Sequence, residues 1–200
     1  IARFSGLAQR DLGGGITTEI AGQFSPLSGA FDIDLSATAR DLSIGDPRFD
    51  TLAKGDTTLA LSAKRDFNGL FLRNAEFHGN GFDLSAKGDL DSANGTVTLA
   101  AQLDDTATVL EGVSGPATLK GTATLTSGDW AFRLNATAPG QIAAKVDGAL
   151  PGNGPLDARF DMTMGAVETF VPALPGAARI KADLRQLDTG WRINLDATGP

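Results

Sequence analysis

An internal repeat limits this chain's possible folds more than any other feature. Residues 103–139 lie over residues 164–200 without a gap. Gly115, Ala117, Lys120, Trp130, Leu134, Ala136, Thr137 and Pro139 fall on Gly176, Ala178, Lys181, Trp191, Leu195, Ala197, Thr198 and Pro200. An earlier copy precedes these, with Gly55, Thr58, Leu59 and Ala63 ahead of Gly115, Thr118, Leu119 and Ala123. Self-similarity at a fixed offset, here 60 to 61 residues, marks repeated supersecondary units that cannot bury an apolar face alone. The spacing predicts a partial unit over 1–40, units over about 41–103 and 104–164, and a partial unit over 165–200. Neither end coincides with a unit boundary, and Ile1-Ala2-Arg3-Phe4 has no initiator Met and no signal-peptide pattern. The chain therefore reads as one continuous fragment of a longer repeat protein.

Within each unit the apolar residues alternate with period two, as in half-buried strands. Phe31, Ile33, Leu35 and Ala37 alternate with Asp32, Asp34, Ser36 and Thr38; Trp130, Phe132, Leu134 and Ala136 alternate with Ala131, Arg133, Asn135 and Thr137. Phe82 and Leu84, then Phe160, Met162 and Met164, then Trp191, Ile193 and Leu195 repeat the pattern. Turn signals separate the runs at Phe67-Asn68-Gly69, Asn94-Gly95, Ser127-Gly128-Asp129, Gly152-Asn153-Gly154 and Asp188-Thr189-Gly190. Such short links require antiparallel pairing, because a parallel crossover needs a dozen residues or more. One stretch per unit departs from the alternation: Asp104 to Gly112, Val167 to Leu174, and Phe49 to Lys54. Apolar pairs three to four apart predict a helical turn at one rim, kept short in the later copy by Pro172 and Pro175.

About a dozen strands in meander order cannot stay one flat sheet. The short loops disfavour a sandwich with its long Greek-key connections. The expected fold is all-β: a long curled antiparallel sheet, a half-pipe whose inside carries the apolar residues. The lining positions expected from the alternation are Phe31, Ile33, Leu35, Leu59, Leu61, Phe82, Leu84, Leu99, Leu119, Trp130, Phe132, Leu134, Ile142, Val146, Phe160, Met162, Met164, Ile180, Trp191, Ile193 and Leu195.

Composition excludes several function classes. With 17 basic against 24 acidic residues and a net charge of -7, the chain lacks the clustered cations that nucleic-acid binding needs. It has no cysteine, so disulfide and thiolate chemistry are absent. No run of 18 apolar residues exists, so no helical transmembrane span is expected within it. His78 is the one histidine and has no repeat-spaced acidic partners, so no metal site is expected. Asp104-Asp105 reads as solvated loop, because its repeat counterpart is Gly165-Ala166. Asn94-Gly95-Thr96 and Asn135-Ala136-Thr137 are formal glycosylation sequons and read as incidental. Gly13-Gly14-Gly15 lacks the Lys and following helix of a phosphate loop. Without a nucleophile, base and orienting group together, no enzyme activity and no cofactor are expected. Trp130 and Trp191 share one repeat position; packing inside the sheet is the plainer reading, ligand contact the sharper one. Met162 and Met164 offer either ordinary packing or a pliable apolar patch.

Asp41-Leu42-Ser43-Ile44-Gly45-Asp46-Pro47, Phe82-Asp83-Leu84-Ser85-Ala86-Lys87-Gly88, Ser114-Gly115-Pro116-Ala117-Thr118-Leu119 and Trp130-Ala131-Phe132-Arg133-Leu134-Asn135-Ala136-Thr137 together resemble the repeats of the TamB family, within the AsmA-like group. The resemblance runs from about Phe31 to Pro200, and the Ala, Gly and Leu bias is similar to that of alphaproteobacterial members. It implies a periplasmic segment of a bridge anchored in the inner membrane. The implied contents of the groove are phospholipid acyl chains, and the implied partner of the parent protein is an outer-membrane barrel of the Omp85 type, TamA. The implied roles are phospholipid movement between the membranes and assembly of outer-membrane proteins. The alternative is a β-repeat adhesin or autotransporter passenger, with the sheet as scaffold and no conduit.

Overall fold

The computed structural model describes residues 13–200; the Ile1–Phe4 segment and the first part of the partial unit lie outside them. Twelve strands form a single open antiparallel sheet in strict sequence order. They are β1 (Gly13–Ser25), β2 (Ala30–Ser43), β3 (Asp56–Asp66), β4 (Gly69–His78), β5 (Phe82–Leu90), β6 (Asn94–Leu103), β7 (Ala117–Thr126), β8 (Asp129–Ala138), β9 (Ile142–Leu150), β10 (Asp157–Met164), β11 (Ala178–Leu187) and β12 (Gly190–Thr198). Each strand packs against its neighbours in sequence, and among the described residues no second sheet covers it. The fold is the all-β, unclosed, curled sheet that the alternation predicts.

Three short helical pieces punctuate the meander. Helix α1 (Pro47–Leu52) joins β2 to β3, a 3-10 turn at Thr106–Thr108 joins β6 to β7, and another at Val167–Thr169 joins β10 to β11. They recur every fourth strand, so one repeat is a helical piece followed by four strands. The meander places all three on the same long edge, the rimmed edge. The opposite long edge carries only hairpin links and is bare. At Ser127-Gly128 both residues have positive φ, +53° and +88°, the left-handed pair of a tight hairpin turn. The β5–β6 link differs from the sequence expectation. Asn94-Gly95 opens β6, and the turn is Asp91–Ala93, where the Asp91 carboxylate accepts the N–H groups of Ala93 and Asn94. A short acidic side chain thus performs the turn-closing role expected of the Asn-Gly pair.

Register keeps one face apolar along the whole sheet. Directly opposed residues share a face, and the pairing is continuous from Ile20↔Leu35 at one end to Ala182↔Leu195 at the other. β4 shows how strictly this holds. One extra residue, Arg73, bulges from it, since Ser62 faces Asn74 while Ala63 faces Leu72. The bulge shifts the alternation by one, so Leu70 and Leu72 before it and Ala75 and Phe77 after it stay on the same face.

The chain buries little. Its accessible surface is 12839 Å², where a compact protein of 20.6 kDa exposes roughly 8,900 Å². Among the described residues no large side chain is fully buried. In β8 the apolar positions are half-buried and the polar ones exposed, strand end to strand end. Small residues on the apolar face make room for large ones. A Cβ on Gly148 would run into the Phe132 ring opposite it, and one on Gly121 would meet Leu134 Cδ2 at 2.5 Å. This alternation of glycine with bulky neighbours lets the face close in on itself.

Candidate functional site

The apolar face is the candidate site, and it is built in rows that cross the strands. One row passes through Leu35, Leu61, Leu99, Leu134, Val146, Phe160 and Leu195, with only Ile20, Ala75, Ala86, Gly121 and Ala182 completing it. The next row toward the bare edge holds Ile33, Phe132 and Ile193 among Gly, Ala, Val and Leu. The next toward the rimmed edge holds Leu59, Leu84, Leu119, Met162 and Ile180. Phe82, Ile142 and Met164 lie closest to the rim; Phe31, Trp130 and Trp191 lie closest to the bare edge. All of the lining residues expected from sequence therefore share one face. The two middle rows cross twelve strands without a polar side chain.

None of these residues is sealed. Most are half-buried against their row neighbours, and those on β12 stand open, with Ile193 59% and Leu195 67% exposed. Trp130 is half-buried among neighbours, while its counterpart Trp191, on the last strand, is 54% exposed. The repeat position is the same; the number of flanking strands differs.

The other face is a lattice of cross-strand ion pairs. Arg40 meets Asp56 at 2.8 Å, Arg133 meets Asp147 at 2.7 Å and Arg159 meets Asp183 at 3.0 Å. Arg179 grips both carboxylate oxygens of Asp161, at 3.2 and 2.5 Å. The bulged Arg73 reaches over β3 to Asp32 and Asp34. The guanidinium groups of Arg73, Arg40 and Arg179 hold Asp32, Asp56 and Asp161 below the ordinary carboxylate range through hydrogen bonds and charge. All of these groups are exposed, so each pair adds little stability singly and the set mainly fixes register. A shallow depression of about 530 Å³ among Asp147, Asp157, Arg159, Asp183, Arg185 and Arg192 lies on this face. Its aspartates pair with arginines, Asp147 with Arg133, Asp157 with Arg185 and Asp183 with Arg159.

His78 Nδ1 lies 2.6 Å from Asp83 Oδ1 on the polar face. Among the described residues no group of three or more His, Cys, Asp or Glu could hold a metal ion, and no helix is long and apolar enough to cross a membrane. Asn94 and Asn135 lie at the start of β6 and in the middle of β8. Gly13-Gly14-Gly15 opens β1 at an irregularity in its pairing with β2.

Asp105 departs from the reading as solvated loop. Its carboxylate accepts the N–H of Ala107 at 3.0 Å and of Gly115 at 2.9 Å, and these bonds hold its pKa low. The same clasp recurs at each rim. Asp41 Oδ1 accepts the Gly55 N–H at 2.9 Å, and Glu168 Oε2 accepts the Gly176 N–H at 3.1 Å. Sequence alignment could not show it, because the acid comes from a different place in each copy. Only the glycine it closes on, Gly55, Gly115 or Gly176, keeps its repeat position.

Comparison with known proteins found no matching family model, no matching curated protein and no matching solved structure, so the chain's own geometry carries the functional argument.

Proposed function

We propose that this chain is a segment of a periplasmic bridge whose apolar face holds phospholipid acyl chains on their way between the inner and outer membranes. The observation that carries the reading is the pair of middle rows, apolar across twelve strands and, among the described residues, nowhere sealed by a second layer. Monomeric soluble proteins rarely leave so long an apolar strip open, and such strips mark binding surfaces. Each methylene removed from water contributes about 0.8 kcal/mol. Because every position along a row is apolar, a chain gains this anywhere along the row and meets no polar barrier. In this reading the parent protein contacts an Omp85-type barrel at the outer membrane and supports outer-membrane biogenesis. The adhesin or passenger reading would place binding on the polar face or the loops; the paired charges there leave it no comparable surface.

The test uses photo-crosslinking amino acids at Leu134 and at Asn135, adjacent in β8 but on opposite faces. Phospholipid adducts are expected at Leu134 and not at Asn135. Equal labelling at both positions overturns the conduit. In the same assay Leu134→Asp should remove most lipid recovery while costing about 1 kcal/mol of stability, since a half-buried Leu gives up only part of its transfer energy. Loss of folding would identify position 134 as sealed core.

A further inference from the structure

Within the regular strand pairing the apolar face carries one charged side chain. Arg65 lies opposite Phe31 on β2 and Leu70 on β4, which places it on the apolar face at the bare edge. Within the regular strand pairing no Asp or Glu shares that face; every acid there sits at an alternating, polar-face position. Arg40, Arg73, Arg133, Arg159, Arg179 and Arg185 on the polar face each meet an aspartate, whereas Arg65, like Arg192 on the polar face, makes no ion pair or side-chain hydrogen bond with any described residue. Its surroundings are apolar and wet together. Phe31 and Leu70 flank it in the sheet, and Phe67, in the hairpin just beyond, is 96% exposed. The repeat counterparts of Arg65 are Leu125 and Gln186, so the cation is not required by the repeat.

Taking the conduit reading as its base, we propose that Arg65 binds the phosphate of a phospholipid headgroup at the bare edge while the acyl chain lies in the apolar rows behind it. The chemistry argues for an amphiphile. A guanidinium presents several N–H donors in a planar fork suited to a phosphate. An unpaired one at the margin of an uncharged apolar strip complements a molecule with one anionic end and one hydrocarbon end. The position also fits solvation. At the strand end the charged head stays in water while the stem covers apolar surface, so the lipid phosphate need not be dehydrated to reach it.

The experiment uses the whole chain and two soluble probes with identical tails, dihexanoyl phosphatidylglycerol and dihexanoylglycerol, measured by titration calorimetry. The phosphate-bearing lipid is expected to bind about two- to five-fold more tightly, the scale of an exposed ion pair, and the preference should shrink as salt is raised. Arg65→Gln should abolish the preference without changing dihexanoylglycerol affinity, and Arg65→Lys should restore part of it. Glycerol 3-phosphate alone should not displace the lipid. An unchanged preference in Arg65→Gln overturns the headgroup site and leaves the conduit standing. Full displacement by glycerol 3-phosphate overturns it in favour of a free-phosphate site. If neither probe binds the wild-type chain, the conduit reading fails together with it.

Discussion

The two long edges of the sheet are built on different principles. At the rimmed edge, residues between strands and at strand starts turn inward and are shielded. Ala53 is fully buried, Thr57 is 2% exposed, Val113 7% and Thr106 8%. The Thr106 hydroxyl donates to the carbonyls of Val113 at 2.8 Å and Gly115 at 3.1 Å. At the bare edge the links are tight hairpins with nothing folded over them, and Leu27 and Phe67 stand 102% and 96% exposed at their tips. An open sheet with a wet apolar face has no interior from which to draw cooperativity. The rim supplies small packed knots at every fourth strand and leaves the opposite lip free. Packing and openness are thus separated by edge rather than by layer.

The largest effect expected from this contrast is in the rim knots. Val113→Ala should lower stability by about 1–2 kcal/mol, since it removes shielded methyl groups where the turn cannot collapse. Val146→Ala, on the open apolar face, should cost about half as much because Val146 is only half-buried. Urea denaturation of both variants measures the ratio. Equal costs would mean that the face is as tightly packed as the rim, and the distinction between edges would fall.

Acid provides a second, smaller separation. Asp105 is held below its ordinary value of 3.8 by the Gly115 and Ala107 N–H groups, and Glu168 lies below its ordinary 4.5. A carboxylate with a depressed folded pKa contributes stability that is complete above the ordinary value and is lost as pH falls through the lower folded one. Wild-type chain and Asp105→Asn should therefore differ most at pH 6–7 and converge toward pH 2, read by denaturation at each pH. The polar-face carboxylates Asp147 and Asp161 titrate in the same direction, but their partners are exposed Arg and Lys side chains, so salt should weaken them more than the rim clasps. A pH-independent gap between wild type and Asp105→Asn would remove the clasp as a source of stability.

How much of this was legible in the sequence differs along the same division. Period-two alternation placed every expected lining residue on one face, because a strand's two faces are set by parity alone and the register then carries that parity from strand to strand. The sequence reading also expected helical pieces between strands at the right places, though Phe49 to Lys54 becomes Pro47–Leu52 and the other two shorten to single 3-10 turns. The rim clasps were not legible. A carboxylate 14, 10 or 8 residues before its glycine has no fixed spacing to detect, and the bond forms only once the strands have folded into place. Arg65 shows the same limit from the other side. Lys64-Arg65 reads as a short basic run, yet parity puts the two side chains on opposite faces. The functional interest of Arg65 comes from what the neighbouring strands, β2 and β4, lay beside it.

The smallest expected effect concerns the bare edge, and it is the most direct check on its freedom. Phe67 is 96% exposed at the tip between β3 and β4, flanked by Asp66, whose carboxylate accepts the Asn68 N–H at 2.8 Å and so closes the turn without help from the ring. A side chain that removes almost no surface from water on folding contributes little to stability, and exposed substitutions away from special backbone positions usually stay within about 0.5 kcal/mol. Phe67→Ser should accordingly leave the denaturation midpoint nearly unchanged. A loss of 1 kcal/mol or more would mean that the ring packs against something in solution, and the bare edge would then be a covered one. With stability unchanged, any loss of lipid binding in Phe67→Ser can be assigned to the lip itself, because folding will already have been measured as intact.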